Sequence, residues 1–137
     1  MANYPYTILP NKEVGKVFKP LIFVRVGNKK SHKITPTPIS ALIDSGADVC
    51  FCADFIGMWL GIKLNKSKPF YFKAADNKKF ITYREAVILH VANKSYEVLF
   101  YFSDTLPREA PIILGQIGFF DKFRVTLDLP HATIEIN

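Results

Sequence analysis

The sequence predicts a mostly β fold, a sandwich or barrel of roughly eight or nine short strands with one or two short helices. Aromatic residues make up 14% of the 137 residues, and with many Val, Ile and Thr they favour strands. Turn-forming residues recur about every ten residues, a spacing typical of all-β domains. Hydrophobic residues at 49% exclude a disordered chain, and no linker or repeat divides it.

Residues 1–16 are predicted to form an extended arm without regular structure, because Pro5, Pro10 and Gly15 interrupt it. Residues 17–137 are predicted to form the folded domain, with elements assigned from apolar runs bounded by turn residues. The predicted strands are Val17–Val26, Ile39–Ile43, Val49–Cys52, Phe70–Ala74, Lys79–Tyr83, Ala86–Val91, Tyr96–Phe102, Pro111–Leu114 and Ala132–Ile136, with alternating residues at Phe123–Leu129 before the last strand. A short helix or 3₁₀ turn is predicted over Ala53–Leu60 and a short helix over Ile117–Phe123.

The basic residues are dispersed along the chain, although the net charge is +6 and the pI about 9.3. The tightest cluster is Lys29, Lys30, His32 and Lys33, which falls in a predicted hairpin turn. A solvated loop is favoured there over a nucleic-acid contact, so no nucleic-acid partner is expected.

Cysteine usage and the N-terminus indicate a reducing compartment. Cys50 and Cys52 lie two positions apart on a predicted strand, too close in sequence for a disulfide that would link distant parts of the fold. Neither has further ligands at metal-binding spacing, so no metal and no other cofactor is expected. No signal peptide and no apolar run of about 18 residues is found, so we expect a cytoplasmic protein without a membrane association.

The strongest chemical signal is an apolar strand that ends in Asp44-Ser45-Gly46. Such a strand places a carboxylate at the edge of the core, on a turn that glycine makes easily. Ala47 and Asp48 follow, and a second apolar run later in the chain also ends in a glycine, Gly115. An isolated Asp-Ser-Gly is weak evidence of chemistry, but this context strengthens it.

These motifs resemble the retropepsin-like aspartic proteases, single-domain relatives of pepsin found in retroviruses, bacteria and eukaryotes. Residues 41–48 match the catalytic loop of that family, and residues 112–115 match its apolar-apolar-Gly motif. Residues 119–128 resemble the short helix and closing strands of cellular members. The resemblance covers about residues 17 to 136 and implies a closed retropepsin-like acid-protease barrel that forms a homodimer.

The resemblance also implies a role for each matched loop residue. Asp44 would be the catalytic residue, and Ser45 would brace the loop by hydrogen bonds across the dimer. Gly46 would approach the substrate backbone. Asp48 would lie beside the substrate main chain, with Ala47 preceding it in the loop.

Two further elements follow from the resemblance. The hairpin around Ala75, Asp76 and Asn77 would be the flap that closes over a peptide and excludes water. Gly115 would let its strand pack behind the catalytic loop. The cleft is predicted to be lined by apolar residues such as Val49, Ile81 and Ile112, which would favour apolar substrate side chains.

Aspartic proteolysis needs two carboxylates that share one proton around a water. The chain has one Asp-Ser-Gly, so the second aspartate is expected from another copy, with Asp44 against Asp44 across a two-fold axis. The predicted function is therefore a homodimeric aspartic endopeptidase acting on peptide or protein substrates, and a monomer should be inactive.

The chain departs from the family pattern at three places. Gln116 follows the second glycine where many members have an Arg that pairs with the acid at the Asp48 position. The flap has no glycine, although Asn and Asp tolerate positive φ. The N-terminal arm is longer than the minimal fold needs.

The alternative hypothesis is a catalytically silent retropepsin-like module for peptide binding or scaffolding. Asp44 would then be a turn acid held by backbone N–H groups. Such a module would bind an extended peptide by strand addition in the cleft without cleaving it. The presence of both family motifs favours the protease.

Overall fold

The computed structural model describes residues 1–137, with thirteen strands and one helix. The strands are β1 (Ala2–Pro5), β2 (Thr7–Asn11), β3 (Gly15–Lys19), β4 (Leu21–Asn28), β5 (Lys33–Ile34), β6 (Ile39–Ile43), β7 (Cys50–Ala53), β8 (Pro69–Lys73), β9 (Lys79–Val91), β10 (Lys94–Ser103), β11 (Ile112–Leu114), β12 (Val125–Asp128) and β13 (Thr133–Ile136). The helix, α1, covers Asp54–Trp59 and has neither the length nor the apolar character that crossing a bilayer takes.

Six strands form a closed barrel in the order β4-β6-β11-β7-β10-β9, and the pairing of β4 with β9 closes the ring. The sheet is mixed, because β10 runs parallel to β7 and β11 runs parallel to β6. Because the ring is closed, each of these six strands pairs with a neighbour on both sides. Two further strands lie outside the ring: β5 pairs with β4, and β8 pairs with β9. The prediction of a mostly β, closed barrel with a short helix is confirmed.

Alternation of apolar and exposed residues fills the barrel interior. On β4, Ile22, Val24 and Val26 are buried while Phe23 and Arg25 face outwards, as the two-residue period of a strand requires. The inward residues join one continuous core of 22 buried residues. The interior is therefore packed with side chains and is not a pore.

The N-terminal residues form strands, so the prediction of an arm without regular structure is wrong. β1 pairs antiparallel with β13, which also pairs with β12, and β2 pairs with β3 as a separate hairpin. β1 accommodates Pro5 because β1 lies at the edge of its three-stranded sheet, where a missing N–H costs no ladder bond. The division of the chain into residues 1–16 and 17–137 stays a prediction.

Three other assignments differ from the structure. No helix forms over residues 117–123: Ile117 forms a bridge with Val49, and residues 118–122 form consecutive turns that begin at Gly118, whose φ of 112° is incompatible with a right-handed helix. Pro20 separates β3 from β4, whereas one strand was predicted across it. Two strands, Lys79–Tyr83 and Ala86–Val91, were predicted where the structure has the single long strand β9 (Lys79–Val91), because β8, β10 and β4 all pair with it.

The loop after β6 is fastened by backbone hydrogen bonds to the segment around β11. Asp44 N–H donates to the Leu114 carbonyl at 3.0 Å, and Gln116 N–H donates to the Ala47 carbonyl at 2.8 Å. Gly115 lies between these bonds, and a Cβ there would stand 2.1 Å from the Val49 carbonyl oxygen. This position therefore has space only for glycine.

Replacement of Ile134 tests the contribution of the terminal sheet. Ile134 on β13 is completely buried, whereas its neighbour Glu135 is half-buried on the opposite face. We expect Ile134→Ala to lower the free energy of unfolding by about 2–5 kcal/mol, and Glu135→Ala to change it by no more than about 0.5 kcal/mol. Urea unfolding at one protein concentration measures both. Equal effects would contradict the packing described for β13.

Replacement of Gly115 tests the close backbone contact. We expect Gly115→Ala to lower the free energy of unfolding by about 3 kcal/mol or more, because the methyl group would overlap two carbonyl groups of the neighbouring loop. Gly27→Ala is the matched control, because its Cβ would meet mainly the flexible Ile34 side chain at 3.3 Å. The control should change stability by less than about 1 kcal/mol. A Gly115→Ala protein as stable as the control would refute the contact.

Candidate active site

Asp44 is the first residue after β6 and lies at the open end of the barrel. Its backbone N–H is bound to Leu114, and its carboxylate Oδ1 accepts a hydrogen bond from Gly46 N–H at 2.9 Å. The residue is half-buried, so part of the carboxylate remains open to solvent. The barrel thus fixes the backbone of Asp44, and the Asp44-Ser45-Gly46 turn fixes its side chain.

The rest of the loop is tied to the residue after Gly115. Ala47 N–H donates to the Asp44 carbonyl at 3.1 Å, which closes a tight turn. The Gln116 side-chain amide donates to the Ser45 carbonyl at 2.8 Å. Gln116, a departure from the family pattern, therefore braces the loop from its own chain by a neutral hydrogen bond.

A cleft of about 710 Å³ opens beside Asp44, within the size range of peptide and ligand sites. Gly46, Ala47 and Asp48 line it on the Asp44 side. The hairpin of β8 and β9 lines the other side. The structure therefore brings most of the predicted loop residues and the predicted flap to one cavity.

The turn of the β8–β9 hairpin forms without glycine. Ala74 N–H donates to the Lys78 carbonyl at 2.9 Å, and Asn77 N–H donates to the Ala74 carbonyl at 3.0 Å. Asn77 adopts a φ of 66°, a left-handed conformation that asparagine tolerates. Asp76 Oδ1 also accepts a hydrogen bond from Lys78 N–H at 3.0 Å, which orders the tip.

Aromatic residues form the apolar part of the cleft. The Phe51 ring lies 5.1 Å from the Phe72 ring and 5.5 Å from the Phe80 ring, measured between centroids. Phe72 is directly opposite Phe80 in the hairpin register. The turn at residues 74–78 determines this register, so the aromatic pair could have been identified from the hairpin pattern. Leu106 and Ile113 complete the apolar lining.

The predicted apolar lining of Val49, Ile81 and Ile112 is wrong. Val49 and Ile112 belong to the buried core, and Ile81 is not among the cleft residues. Successive side chains of a strand point to opposite faces, so the neighbours Ile113 and Phe80 face the cleft instead. The sequence shows the alternation but not which face the barrel encloses.

Three predicted site residues do not line the cleft. Ser45 is exposed on the loop, and it contacts Gln116 through its carbonyl group. Asn77 lies in the turn of the β8–β9 hairpin without lining the cavity, and Gly115 lies behind the loop. These residues shape the site from outside it.

Cys50 lies directly behind the same loop and supports it. Its sulfur accepts a hydrogen bond from Gly115 N–H at 3.4 Å, and its thiol donates to the Ile117 carbonyl at 3.6 Å. Burial raises the pKa of the Cys50 thiol to about 12, and burial also raises the pKa of Cys52. Both thiols are therefore neutral packing groups near neutral pH.

A scan against protein-family models gave no match, and a search of curated proteins gave none. Solved structures do resemble the chain. A retropepsin-like aspartic protease from Rickettsia conorii has a TM-score of 0.58 at 14% identity, covering 98% of this chain and 99% of that one.

Two further solved structures show the same likeness. The EIAV protease in complex with an inhibitor has a TM-score of 0.54 at 18% identity, covering 72% of this chain and 82% of that one. The retroviral protease-like domain of Ddi1 from Leishmania major has a TM-score of 0.53 at 16% identity, covering 85% and 88% respectively. The chain therefore has the retropepsin-like fold.

Proposed function

We propose that this chain is an aspartic endopeptidase that acts as a homodimer, with Asp44 of each copy activating one water. The observation that carries the proposal is the position of Asp44. Its carboxylate stands at the open end of the barrel, beside a peptide-sized cleft covered by a hairpin. The shared fold with solved aspartic proteases supports the same reading.

The need for two copies follows from the chemistry. General acid–base hydrolysis of a peptide by carboxylates uses a pair that shares one proton. The chain offers one Asp-Ser-Gly turn, and its carboxylate is partly open to solvent. A two-fold axis beside this turn would bring two copies of Asp44 together. In the proposed dimer each chain supplies half of the catalytic pair and one flap.

The proposed reaction uses the two carboxylates in opposite roles. The ionised member takes a proton from the water, whose oxygen then attacks the carbonyl carbon of the peptide. The protonated member donates its proton to the carbonyl oxygen. The carboxyl that took the proton from water then donates it to the amide nitrogen, while the other carboxylate takes a proton from one hydroxyl of the hydrated carbonyl. The C–N bond breaks, the carbonyl re-forms, and the two products leave with the pair back in its starting protonation state. Gly46 and Asp48, which are both exposed, would contact the substrate main chain, and the hairpin would exclude water.

The organisation of the chain follows the same proposal. Residues 17–137 would form the catalytic unit, and residues 1–16 would be an N-terminal extension that docks on the last strand through β1. A cytoplasmic location and the lack of a nucleic-acid partner stay predictions from the sequence.

Replacement of Asp44 by Asn tests the proposal. We expect Asp44→Asn to lower kcat/KM for a peptide pool at least about 1,000-fold, because acid–base catalysis by a single group commonly supplies about 100-fold to 10,000-fold. Glu97→Gln, which makes the same carboxylate-to-amide change at an exposed site outside the cleft, should keep the activity. Mass spectrometry of the products from pH 3 to pH 8, with each sample sized for dimer, provides the measurement.

The outcomes separate the two hypotheses. Equal cleavage by both variants would refute a role for Asp44. A confirmed dimer that binds peptides but cleaves none would favour the silent peptide-binding module.

Replacement of Gln116 tests the brace on the loop. Gln116→Ala removes the hydrogen bond to the Ser45 carbonyl. We expect kcat to fall about fivefold, in line with the loss of about 1 kcal/mol of orientation. Gln116→Arg keeps an N–H donor and should retain more activity than Gln116→Ala. Initial rates at saturating substrate provide the measurement, and identical rates for all three proteins would show that the brace has no catalytic role.

A further inference from the structure

We propose that the outer face of α1 and the lysines around it dock on the headgroup region of an anionic lipid bilayer. The docking surface consists of an apolar triplet, Phe55, Met58 and Trp59, and of a basic rim that comprises Lys29, Lys30, Lys33, Lys63, Lys66 and Lys68. None of these residues lines the cleft, so the inference goes beyond the proposed function and does not depend on it. A peripheral contact of this kind differs from the sequence-based expectation of no membrane association, because the sequence does not show that the triplet faces the solvent.

The apolar triplet lies on the solvent side of α1. Phe55 and Met58 are each 60% exposed and Trp59 is 49% exposed, although side chains of this kind are normally mostly buried. Their spacing of three and four residues places them next to one another on one face of the helix. The opposite face, with Ile56 and Gly57, is buried against the core. Both faces of α1 are thus apolar, and the outer one is left to solvent in the single chain.

The basic rim is fixed to the end of α1 by hydrogen bonds. Asn28 Nδ2 and Ser31 Oγ both donate to the Leu60 carbonyl, at 2.9 Å and 2.8 Å, which holds the β4–β5 hairpin and its lysines against the helix. The Lys33 ammonium lies 5.6 Å from the centre of the Trp59 ring. The remaining lysines of the rim follow in the loop between α1 and β8. Positive charge and apolar side chains therefore share one continuous surface.

The acids near this surface leave it positively charged. Asp54 begins α1, and Glu85 and Glu97 lie on the neighbouring barrel strands, in a groove that they share with three of the rim lysines. Six lysines against three acids leave a local net charge of +3, half of the +6 of the chain. None of these acids forms an ion pair with a lysine, since the single ion pair in the structure joins His131 and Asp128. The rim is therefore complementary to a negatively charged partner.

The combination of protruding apolar side chains and a basic rim favours a bilayer as that partner. Attachment to a bilayer surface strengthens with the apolar area that enters it and with attraction to anionic headgroups. Tryptophan and lysine suit the boundary region, because each has an apolar body and a polar tip. About half or more of each triplet side chain is exposed, which suits a broad partner that these side chains enter. A peptide would instead insert its own side chains into a pocket.

Binding to lipid vesicles tests the inference. The vesicles contain phosphatidylcholine alone or with about 30 mol% phosphatidylserine, in about 50 mM or 500 mM NaCl. We expect the apparent Kd, measured by sedimentation, to be at least about fivefold lower on the phosphatidylserine vesicles at low salt, since a single lysine near an anionic surface contributes about that factor. High salt should remove most of the difference because it screens the charges.

Trp59 tests the orientation of the bound protein, because it is the only tryptophan of the chain. In the unmodified protein, vesicle binding should shift its emission to shorter wavelength, and lipids with brominated acyl chains should quench it. Adhesion through the lysines alone would leave the ring outside the acyl region. Binding without quenching would therefore overturn the proposed docking surface.

Two double variants assign the binding to the apolar triplet. Phe55→Ser with Met58→Ser should weaken binding to phosphatidylserine vesicles about tenfold or more, because two apolar side chains no longer enter the bilayer. The matched control, Tyr71→Ser with Leu127→Ser, removes one aromatic and one other apolar side chain that are also exposed, but from β8 and β12. The control should bind like the unmodified protein. Far-UV circular dichroism confirms that both variants are folded.

The outcomes separate the bilayer from other partners. Absence of binding to phosphatidylserine vesicles by the unmodified protein would overturn the inference, and so would equal losses in the variant and its control. Quenching of Trp59 by a dye-labelled Glu-Glu-Phe-Leu-Glu-Glu peptide, without vesicle binding, would assign the surface to an acidic peptide instead. Peptide cleavage and its dependence on Asp44 are measured without vesicles, so failure of this inference leaves the proposed function standing.

Discussion

The backbone contact between Gly115 and the loop after β6 is the constraint on which the site depends. Three segments meet there: the end of β6, the loop itself, and the residues after β11. Hydrogen bonds from Asp44 to Leu114 and from Gln116 to Ala47 fasten them, and the space for a Cβ is occupied by the Val49 carbonyl. The barrel strands therefore determine where Asp44 stands, and the loop has little freedom to move it.

The side chains around this contact add support without adding charge. Gln116 binds the Ser45 carbonyl from one side, and Cys50 receives the Gly115 N–H from behind. Because burial raises the pKa of Cys50, its thiol stays neutral and does not compete as an acid or base near neutral pH. The proposed acid–base chemistry would therefore depend on carboxylates alone.

The sequence predicts features that have local causes and fails where the cause is distant. The bounds of β6 match the prediction, because an apolar run ended by an acid is a local signal. The pairing of β1 with β13 joins the two ends of the chain and has no local signal. The orientation of β11, with Ile112 in the core and Ile113 in the cleft, depends on barrel closure. The positive φ of Gly118, which prevents a helix, likewise belongs to the packed structure.

Under the proposed function, activity would depend on assembly as well as on residue identity. A single chain has Asp44 half-buried and still open to solvent, with one flap covering one side of the cleft. Sharing of a proton requires a second carboxylate in contact with the first, and exclusion of bulk water strengthens the electrostatic interactions that hold the pair. One barrel can position an aspartate, but it supplies neither the second carboxylate nor full exclusion of bulk water. In the proposed mechanism, the rigid support of Asp44 therefore contributes to catalysis only when a second copy completes the pair.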